Sequence, residues 1–304
     1  MSVSVIIPAF NAAAYLAEAI ESALSQTHAA SSIIVVDDGS TDATAAVAEN
    51  FADSVTLLRQ NNSGVSTARN FGASQISANW LLFLDADDRL LPHAIATLVA
   101  RADEGDFGVV YGRSADFSNA KRYDEHGNDK MQGHPPAAAG AAFWKAPIAT
   151  PGAAIVKREV FEKAGRWNPR FNTSADRDLW CRTGAVSEFG FVDRVVVERR
   201  VHDSNMSSDK NRARRQAVEV QLDFLEWCAA RGISTTFLAT DERQIFERNV
   251  ERALEERAFD AAVWISDQAI QRNVKSDTFT LAHRLAAMPV FARDLELKIR
   301  GLFK

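Results

Sequence analysis

The sequence predicts an α/β domain with a mostly parallel central sheet and flanking helices, followed by a C-terminal helical region. In about the first 85 residues, apolar strand patterns alternate four times with helical patterns, which is typical of a parallel sheet covered by helices. From residue 209 onward, helix-like segments follow one another. We therefore predict an α/β domain over 1–208 and a helical region over 209–304. The first is expected to consist of two halves, 1–113 and 114–208.

Local residue patterns predict each element of the first half. The four strands are short apolar runs at 3–7, 33–36, 55–58 and 81–84. Pro8 is expected to end the first strand, and residues 13–26 have apolar side chains at helical spacing. Ser40 or Thr41 is expected to cap the helix after the second strand. Residues 63–64 are expected to begin the helix after the third strand.

The second half and the C-terminal region have weaker patterns. Further strands are predicted at 108–111, 153–156 and 195–201, with helices at 92–101 and 158–164. Residues 114–140 are polar and contain several Gly and Pro, so we predict a long loop that serves as a mobile lid or an insertion. The helices of the C-terminal region are predicted at 212–230, 242–256, 259–271 and 291–303.

Composition limits the classes of function. The chain has 304 residues and a net charge of −5, so a general nucleic-acid binder, which would show a basic face, is disfavoured. Its two cysteines are too few for a disulfide framework or a zinc site. The N-terminus lacks the basic region of a signal peptide, and no apolar run approaches the ~20 residues of a membrane span. We predict a cytoplasmic protein.

An acidic cluster follows the fourth predicted strand directly. The apolar run 81–84 ends in Asp85, Asp87 and Asp88, and in an open parallel sheet ligands bind at the carboxyl ends of the strands. Carboxylates held this close repel one another unless a cation neutralises them. Mg²⁺ or Mn²⁺ is the expected cation, since both take oxygen ligands and borrow others from phosphates. The alternative is an Asp-rich turn that only ends the strand.

Other strand ends also carry polar groups suited to a nucleotide. Asp37 and Asp38 follow the second strand, where a carboxylate can accept a hydrogen bond from a base N–H or a ribose hydroxyl. Arg69 lies on the helix after the third strand and can reach a phosphate or hold an Asp in place. The alternative is that residues 37–42 only cap a helix and that Arg69 lies on the surface.

The order of four motifs resembles the nucleotide-binding half of a family 2 glycosyltransferase with the GT-A fold, which is Rossmann-like. These motifs are VSVIIPAFN, IIVVDDGSTD, NNSGVSTARNFG and LLFLDADD. The resemblance implies a metal-dependent enzyme that transfers a sugar from a nucleotide-sugar, a UDP-sugar being favoured, to an acceptor hydroxyl with inversion. The acceptor is expected to be a glycan or glycolipid of bacterial envelope polysaccharide synthesis.

The resemblance assigns roles to the residues that match these motifs. The loop under the base is formed by Pro8, Ala9, Phe10 and Asn11, and Asp38, beside Asp37, faces the base. Arg69 corresponds to an arginine near the nucleotide. In the Asp85-Ala86-Asp87 motif the two aspartates contact ribose and metal, and either Asp87 or Asp88 is the metal ligand.

A second set of residues resembles the acceptor side of the same family. In SADRDLWCR the family often has Glu before its catalytic Asp, whereas this sequence has Ala175. Asp176 is then expected to be the general base, because an acceptor hydroxyl needs a carboxylate to take its proton. The alternative is that Asp176 is only a helix cap, and Asp178 is expected to be a cap or an Arg partner. His202 is expected near the diphosphate or on the metal, or is a plain surface residue.

Four alternatives from other classes differ in how well the sequence supports them. A dinucleotide oxidoreductase is disfavoured because no G-x-G-x-x-G follows the first strand, and a nucleotidyltransferase because the loop there has neither Gly nor Lys. A sugar-nucleotide hydrolase stays open, as does a non-catalytic nucleotide-binding scaffold that uses its helical tail. The segment 291–303 is expected to pack on the domain or to lie on the inner face of the membrane as a peripheral contact.

Overall fold

The structure is a computed structural model. It describes residues 1–118, 121–126, 144, 150–202, 209–238 and 240–288. The chain divides into two compact units, Met1–His202 and Asp203–Lys304. The predicted boundary between 208 and 209 stays a prediction, because residues 203–208 lie outside the described residues.

The first unit alternates strands and helices along the chain. Its strands are β1 (Val3–Ala9), β2 (Ser32–Asp37), β3 (Thr56–Arg59), β4 (Trp80–Phe83), β5 (Arg89–Leu90), β6 (Phe107–Ser118), β7 (Lys121–His126), β8 (Ala154–Lys157) and β9 (Glu188–Arg200). Its helices are α1 (Leu16–Leu24), α2 (Thr44–Glu49), α3 (Val65–Ser74), α4 (Ala94–Ala102), α5 (Arg158–Lys163) and α6 (Ala175–Gly184), with a 3₁₀ turn at Pro151–Ala153.

These strands form one sheet in the order β3-β2-β1-β4-β8-β6-β9-β5, with β7 paired to β6. The pairs among β1, β2, β3 and β4 are all parallel. Beyond β4 the sheet is mixed, because β8 runs antiparallel to both β4 and β6 while β6 and β9 are parallel. The predicted α/β class is therefore confirmed, and the parallel strands β1 to β4 all lie in residues 1–113, where the sequence patterns predicted a parallel sheet.

The prediction that Pro8 ends the first strand is wrong. It pairs with Val36, and β1 continues to Ala9. The carbonyl of Ile6 accepts a hydrogen bond from Leu84, so Ile6 and Pro8, two residues apart, direct their backbone polar groups toward β4. Registered pairing with β4 stops at Ile6. The missing N–H of Pro8 therefore falls beyond that ladder, where a proline is tolerated.

The prediction that Ser40 or Thr41 caps α2 is wrong. The helix begins at Thr44, whose N–H donates to Oδ1 of Asp42 at 2.9 Å. The Ser40 hydroxyl instead accepts from the Asn11 N–H at 2.9 Å, and the Thr41 N–H donates to Asn11 Oδ1 at 2.9 Å. These bonds join the loops that follow β1 and β2.

The prediction of a loop over 114–140 is wrong for its first residues. Residues 114–118 continue β6, and residues 121–126 form β7, which pairs with β6. Pairing along β9 as far as Arg200 extends β6 beyond its apolar part, which is why the apolar pattern alone ended it too early. The remainder of the predicted loop lies outside the described residues.

Buried apolar strands position the site-bearing ends of the sheet. Every residue of β1 and β4 is buried, as expected for strands covered on both faces. The helix α3 approaches the sheet closely, because a Cβ added at Gly72 would lie 2.6 Å from the Ile6 side chain. This contact holds α3, and with it Arg69, against the centre of the sheet.

The second unit is helical, as predicted, and has its own core. Its helices are α7 (Lys210–Ala229), α8 (Glu242–Glu255), α9 (Phe259–Gln271) and α10 (Asp277–Ala286), with a 3₁₀ turn at Thr236–Leu238. Phe246, Ile265 and Phe279 are among the buried residues that join α8, α9 and α10. The predicted helix at 291–303 lies outside the described residues. Within the part of the chain that the structure describes, no helix has both the length and the hydropathy to cross a membrane.

Candidate active site

A polar edge forms where β1, β2 and β4 end. Because these strands are parallel and adjacent, the residues that follow them share one side of the sheet. Pro8 and Ala9 are the buried last residues of β1 and not part of a loop, whereas Phe10 is 49% exposed beside them. Asn11 follows with a positive φ of 48° and its side chain bonded to the β2 loop.

Asp37 faces a cleft of about 480 Å³ that is also lined by Gly39, Arg59, Gln60 and Asn61. One Asp37 oxygen accepts the Ser40 N–H at 3.0 Å, and the other lies 3.3 Å from Arg59 Nε. Asp37 itself is buried, while the Arg59 side chain is 62% exposed. The cleft therefore combines a fixed carboxylate with a guanidinium open to solvent.

Both carboxylate oxygens of Asp38 accept hydrogen bonds from other residues of the protein. Its oxygens accept hydrogen bonds from Gln60 Nε2 at 2.7 Å and from the backbone N–H groups of Ser63 and Gly64, both at 2.8 Å. It is buried and fixes the loop that leads into α3. Of the two neighbouring aspartates, Asp37 is the one that lines the cleft.

Asp85 is paired with Arg69, the residue that the sequence placed near the nucleotide. Arg69 Nη2 lies 2.5 Å from Asp85 Oδ1, and its guanidinium lies 4.2 Å from the centroid of the Trp167 ring. Arg69 is only 4% exposed, so the alternative of a surface residue is wrong. Hydrogen bonds in both directions between Asn70 and Trp167 hold the ring against α3.

Asp87 meets His202 across the sheet edge. Asp87 Oδ2 lies 2.9 Å from His202 Nε2, and the two side chains are 28% and 18% exposed. Burial and the nearby charge of Asp85 raise the pKa of Asp87, while the hydrogen bond from His202 lowers it. Ala86, between the two aspartates, is buried.

Asp88 is turned inward. It is 4% exposed, and its Oδ1 accepts the Arg200 backbone N–H at 2.9 Å. Burial, and then the charges of Asp85 and Asp87, hold the pKa of Asp88 well above its usual range. Of the two candidate metal ligands, Asp87 is therefore the one open to the site.

The donor set at this edge fits a divalent cation that shares its ligands with a bound phosphate. Asp87 and His202 offer one carboxylate oxygen and one ring nitrogen, both partly open to solvent. Across the described ranges, no group of three or more His, Cys, Asp or Glu residues could hold a metal ion without help. Mg²⁺ and Mn²⁺ commonly use one or two protein carboxylates and take further oxygens from a substrate.

Asp176 is the second residue of helix α6, which begins at Ala175 beside the same edge. Its Oδ1 accepts the Arg177 N–H at 2.8 Å. Burial raises the pKa of Asp176, and the charges of Arg177 and Arg69 oppose that change while Asp85 adds to it. Asp176 thus lies close enough to Arg69 and Asp85 for their charges to act on it.

Asp178, two residues further, has a structural partner, as expected. It forms a buried ion pair with Arg182, whose Nε lies 3.2 Å from Asp178 Oδ1. Arg182 also donates to the Ala164 carbonyl, which ties α6 to the segment after α5. Asp178 therefore anchors the helix that carries Asp176.

Several residues of this site were not predicted from the sequence. Arg59, Gln60 and Asn61 line the Asp37 cleft, and Trp167 supports Arg69. Tyr15 stacks on His202 with ring centroids 5.2 Å apart. Arg59, Gln60 and Asn61 had one available signal, their position after a predicted strand, which does not distinguish them from ordinary loop residues, and Tyr15 and Trp167 lie away from predicted strand ends.

Comparison with known proteins identifies the family. The model of "Glycosyl transferase family 2" matches residues 4–165. This chain belongs to glycosyl transferase family 2. An uncharacterised glycosyltransferase of Rickettsia typhi is 28% identical over 68% of this chain and 66% of its own length. YibD of Escherichia coli K12, also an uncharacterised glycosyltransferase, is 40% identical over 35% of this chain and 32% of its own length. The chain thus spans two thirds or less of the length of such relatives.

Solved structures share the fold. Staphylococcus aureus TarS 1–349 in complex with UDP-GlcNAc has a TM-score of 0.63 at 17% identity, covering 93% of this chain and 91% of that one. The mannosyltransferase PcManGT of Pyrobaculum calidifontis, in complex with GDP-Man and Mn²⁺, has a TM-score of 0.60 at 18% identity, covering 99% and 84%. The predicted GT-A fold and the predicted glycosyltransferase family, a transferase class, are confirmed.

Asp88→Asn tests the assignment of an inward carboxyl group. A carboxyl whose folded-state pKa is raised binds a proton more tightly in the folded state than in the unfolded state. Its contribution to folding stability therefore weakens as pH rises above 3.8, the ordinary pKa of an Asp side chain. We expect the variant, which keeps an oxygen for the Arg200 N–H, to melt higher than the wild type at pH 8 in EDTA and to lose this advantage near pH 4.

The control for this measurement is Asp53→Asn, which removes an exposed carboxylate. Its melting temperature should differ between pH 4 and pH 8 by the same amount as that of the wild type. A wild type whose melting temperature responds to pH in the same way as Asp88→Asn would contradict the assignment.

Proposed function

We propose that this chain is a metal-dependent, inverting glycosyltransferase that transfers a sugar from a nucleotide-sugar, preferably a UDP-sugar, to an acceptor hydroxyl. The acceptor is a glycan or glycolipid, and the setting is cell-envelope polysaccharide synthesis. The observation that carries the proposal is the convergence of the Asp37 cleft, the Asp87–His202 pair and Asp176 on one edge of the sheet. Membership of family 2 supports the reaction class.

The donor is proposed to lie along the ends of β1, β2 and β4. The base occupies the Asp37 cleft, where the carboxylate accepts a base N–H, and the exposed ring of Phe10 follows the end of β1. Asp85, oriented by Arg69, binds the ribose. TarS and PcManGT, which share this fold, are described with UDP-GlcNAc and GDP-Man, so both uracil and guanine are candidates for the base.

The diphosphate is proposed to lie beside Asp87 and His202. These two side chains would hold Mn²⁺ or Mg²⁺, and the cation would offset the charge that develops on the leaving diphosphate. A cation is described in PcManGT. Asp88 supports the turn and does not bind the metal directly, because its carboxyl is buried against Arg200.

Asp176 is proposed to deprotonate the acceptor hydroxyl as it attacks the anomeric carbon. The new bond forms on the face opposite the leaving diphosphate, which gives inversion in one displacement. A general base works best when its pKa lies near the operating pH. The raised pKa of Asp176, caused first by burial, moves this carboxylate in that direction.

A donor-binding assay tests the proposed site. We expect a rise in melting temperature with one of UDP, GDP or dTDP that depends on Mn²⁺ and is lost in Asp87→Ala. The reason is that the nucleotide and the cation share ligands at Asp87. Asp53→Ala, at an exposed position away from the edge, should behave like the wild type. The absence of a shift with every nucleotide would contradict the donor site.

Asp176→Asn tests the catalytic assignment. Loss of a general base typically lowers the rate about 10²- to 10⁴-fold. We expect kcat to fall by that order, with little change in the KM for the donor, and the acidic limb of the pH–rate profile to disappear. The measurement is release of nucleoside diphosphate from a panel of nucleotide sugars with glycan and glycolipid acceptors. Release that does not depend on an acceptor would favour a hydrolase instead.

A further inference from the structure

Arg200, the last residue of β9, holds the acidic turn after β4 at two points. Its backbone N–H donates to Asp88 Oδ1 at 2.9 Å, and its Nε donates to the Asp87 carbonyl at 3.0 Å. Both bonds come from a residue only two positions before His202. Arg200 therefore fixes the position of the Asp87 backbone and of the Asp88 side chain. It also fixes the end of the strand that leads to His202.

Aromatic rings restrict the Arg200 side chain from two directions. Its guanidinium carbon lies 4.4 Å from the Phe117 ring centroid and 5.0 Å from that of Tyr15. Tyr15 also stacks on His202, with the two ring planes inclined by 22°. The same tyrosine thus contacts the arginine that orients Asp87 and the histidine that bonds to it.

Glu18, on helix α1, supplies the opposite charge. One of its oxygens accepts a hydrogen bond from Arg200 Nη2, and the other lies 2.6 Å from Arg89 Nη1. Arg89 in turn binds Glu198 at 2.6 Å. These two carboxylates and two guanidinium groups carry equal and opposite charge, so carboxylates outside the acidic turn offset the positive charge of Arg200.

We propose that Glu18 and Arg200 are positioning residues of the cation site, with Arg200 orienting the ligands and Glu18 neutralising Arg200. This inference rests on the proposed function, because it requires a cation at Asp87 and His202. The guanidinium would otherwise place a positive charge beside a site that must attract one. The ion pair lets the arginine donate its hydrogen bonds without lowering the affinity for the cation.

The sign of the Glu18→Gln effect follows from this arrangement. Gln keeps the shape of the side chain and an oxygen for Arg200 but removes the negative charge. Arg200 is then less compensated, so a divalent cation at Asp87 is repelled more strongly. We expect the affinity for Mn²⁺ to fall roughly fivefold or more, with the melting temperature in EDTA little changed because the side chain is 41% exposed.

The test is a titration of Mn²⁺ into the full chain in the presence of saturating UDP or GDP, whichever the wild type binds. Free Mn²⁺ is measured by electron paramagnetic resonance, so the readout does not depend on turnover. The matched control is Glu21→Gln, an identical charge change on an exposed residue of the same helix. Binding of the nucleotide in EDTA is measured for each variant.

Weaker Mn²⁺ binding in Glu18→Gln alone, with wild-type nucleotide affinity in EDTA, would support the inference. Equal Mn²⁺ affinities in Glu18→Gln and the wild type would overturn it, as would equal losses in Glu18→Gln and Glu21→Gln, which would indicate only long-range charge. A wild type that binds no Mn²⁺ with either nucleotide would instead overturn the proposed metal dependence, so the two failures are distinct.

Discussion

The site depends on the separation of three like charges at the end of one buried strand. Asp85, Asp87 and Asp88 lie within four consecutive positions of the chain, and ionised carboxylates this close repel one another. Each has a different partner: Arg69 for the first, His202 for the second and the Arg200 N–H for the third. Of the three, the second carboxylate combines partial exposure with a neighbouring imidazole. Because their partners differ, the three carboxylates of this acidic turn differ in exposure and in hydrogen bonding.

These partners come from distant parts of the chain because the sheet is mixed. Parallel strands bring their carboxyl ends to one edge, which places the loops after β1, β2 and β4 together. The strands beyond β4 carry β9 back alongside β6, so that Arg200 and His202 reach the same edge. Helix α6, anchored by the buried Asp178–Arg182 pair, presents Asp176 there as well. The proposed donor and acceptor sides therefore meet at the boundary between parallel and antiparallel pairing.

Sequence patterns predicted the parts of this site whose signals are local. An apolar run that stops at an aspartate is visible in a few residues, and so the edge and most of its carboxylates were found. The Glu18–Arg200 contact joins residues 182 positions apart, and no local pattern indicates it. Asp38 was expected to face the base, but three donors from the next loop occupy it. Helix α10 was missed although Ser276 caps it and Phe279, Ala282 and Leu285 follow three residues apart on its buried face.

The most direct measurement is anomalous diffraction at the manganese edge from crystals grown with Mn²⁺ and the nucleoside diphosphate that the chain binds. We expect one strong peak between the Asp87 carboxylate and the His202 ring, in contact with diphosphate oxygens, and no direct Asp88 ligand. We also expect the base in the cleft beside Asp37. A manganese peak elsewhere, or a nucleotide bound away from the ends of β1, β2 and β4, would contradict the proposed site.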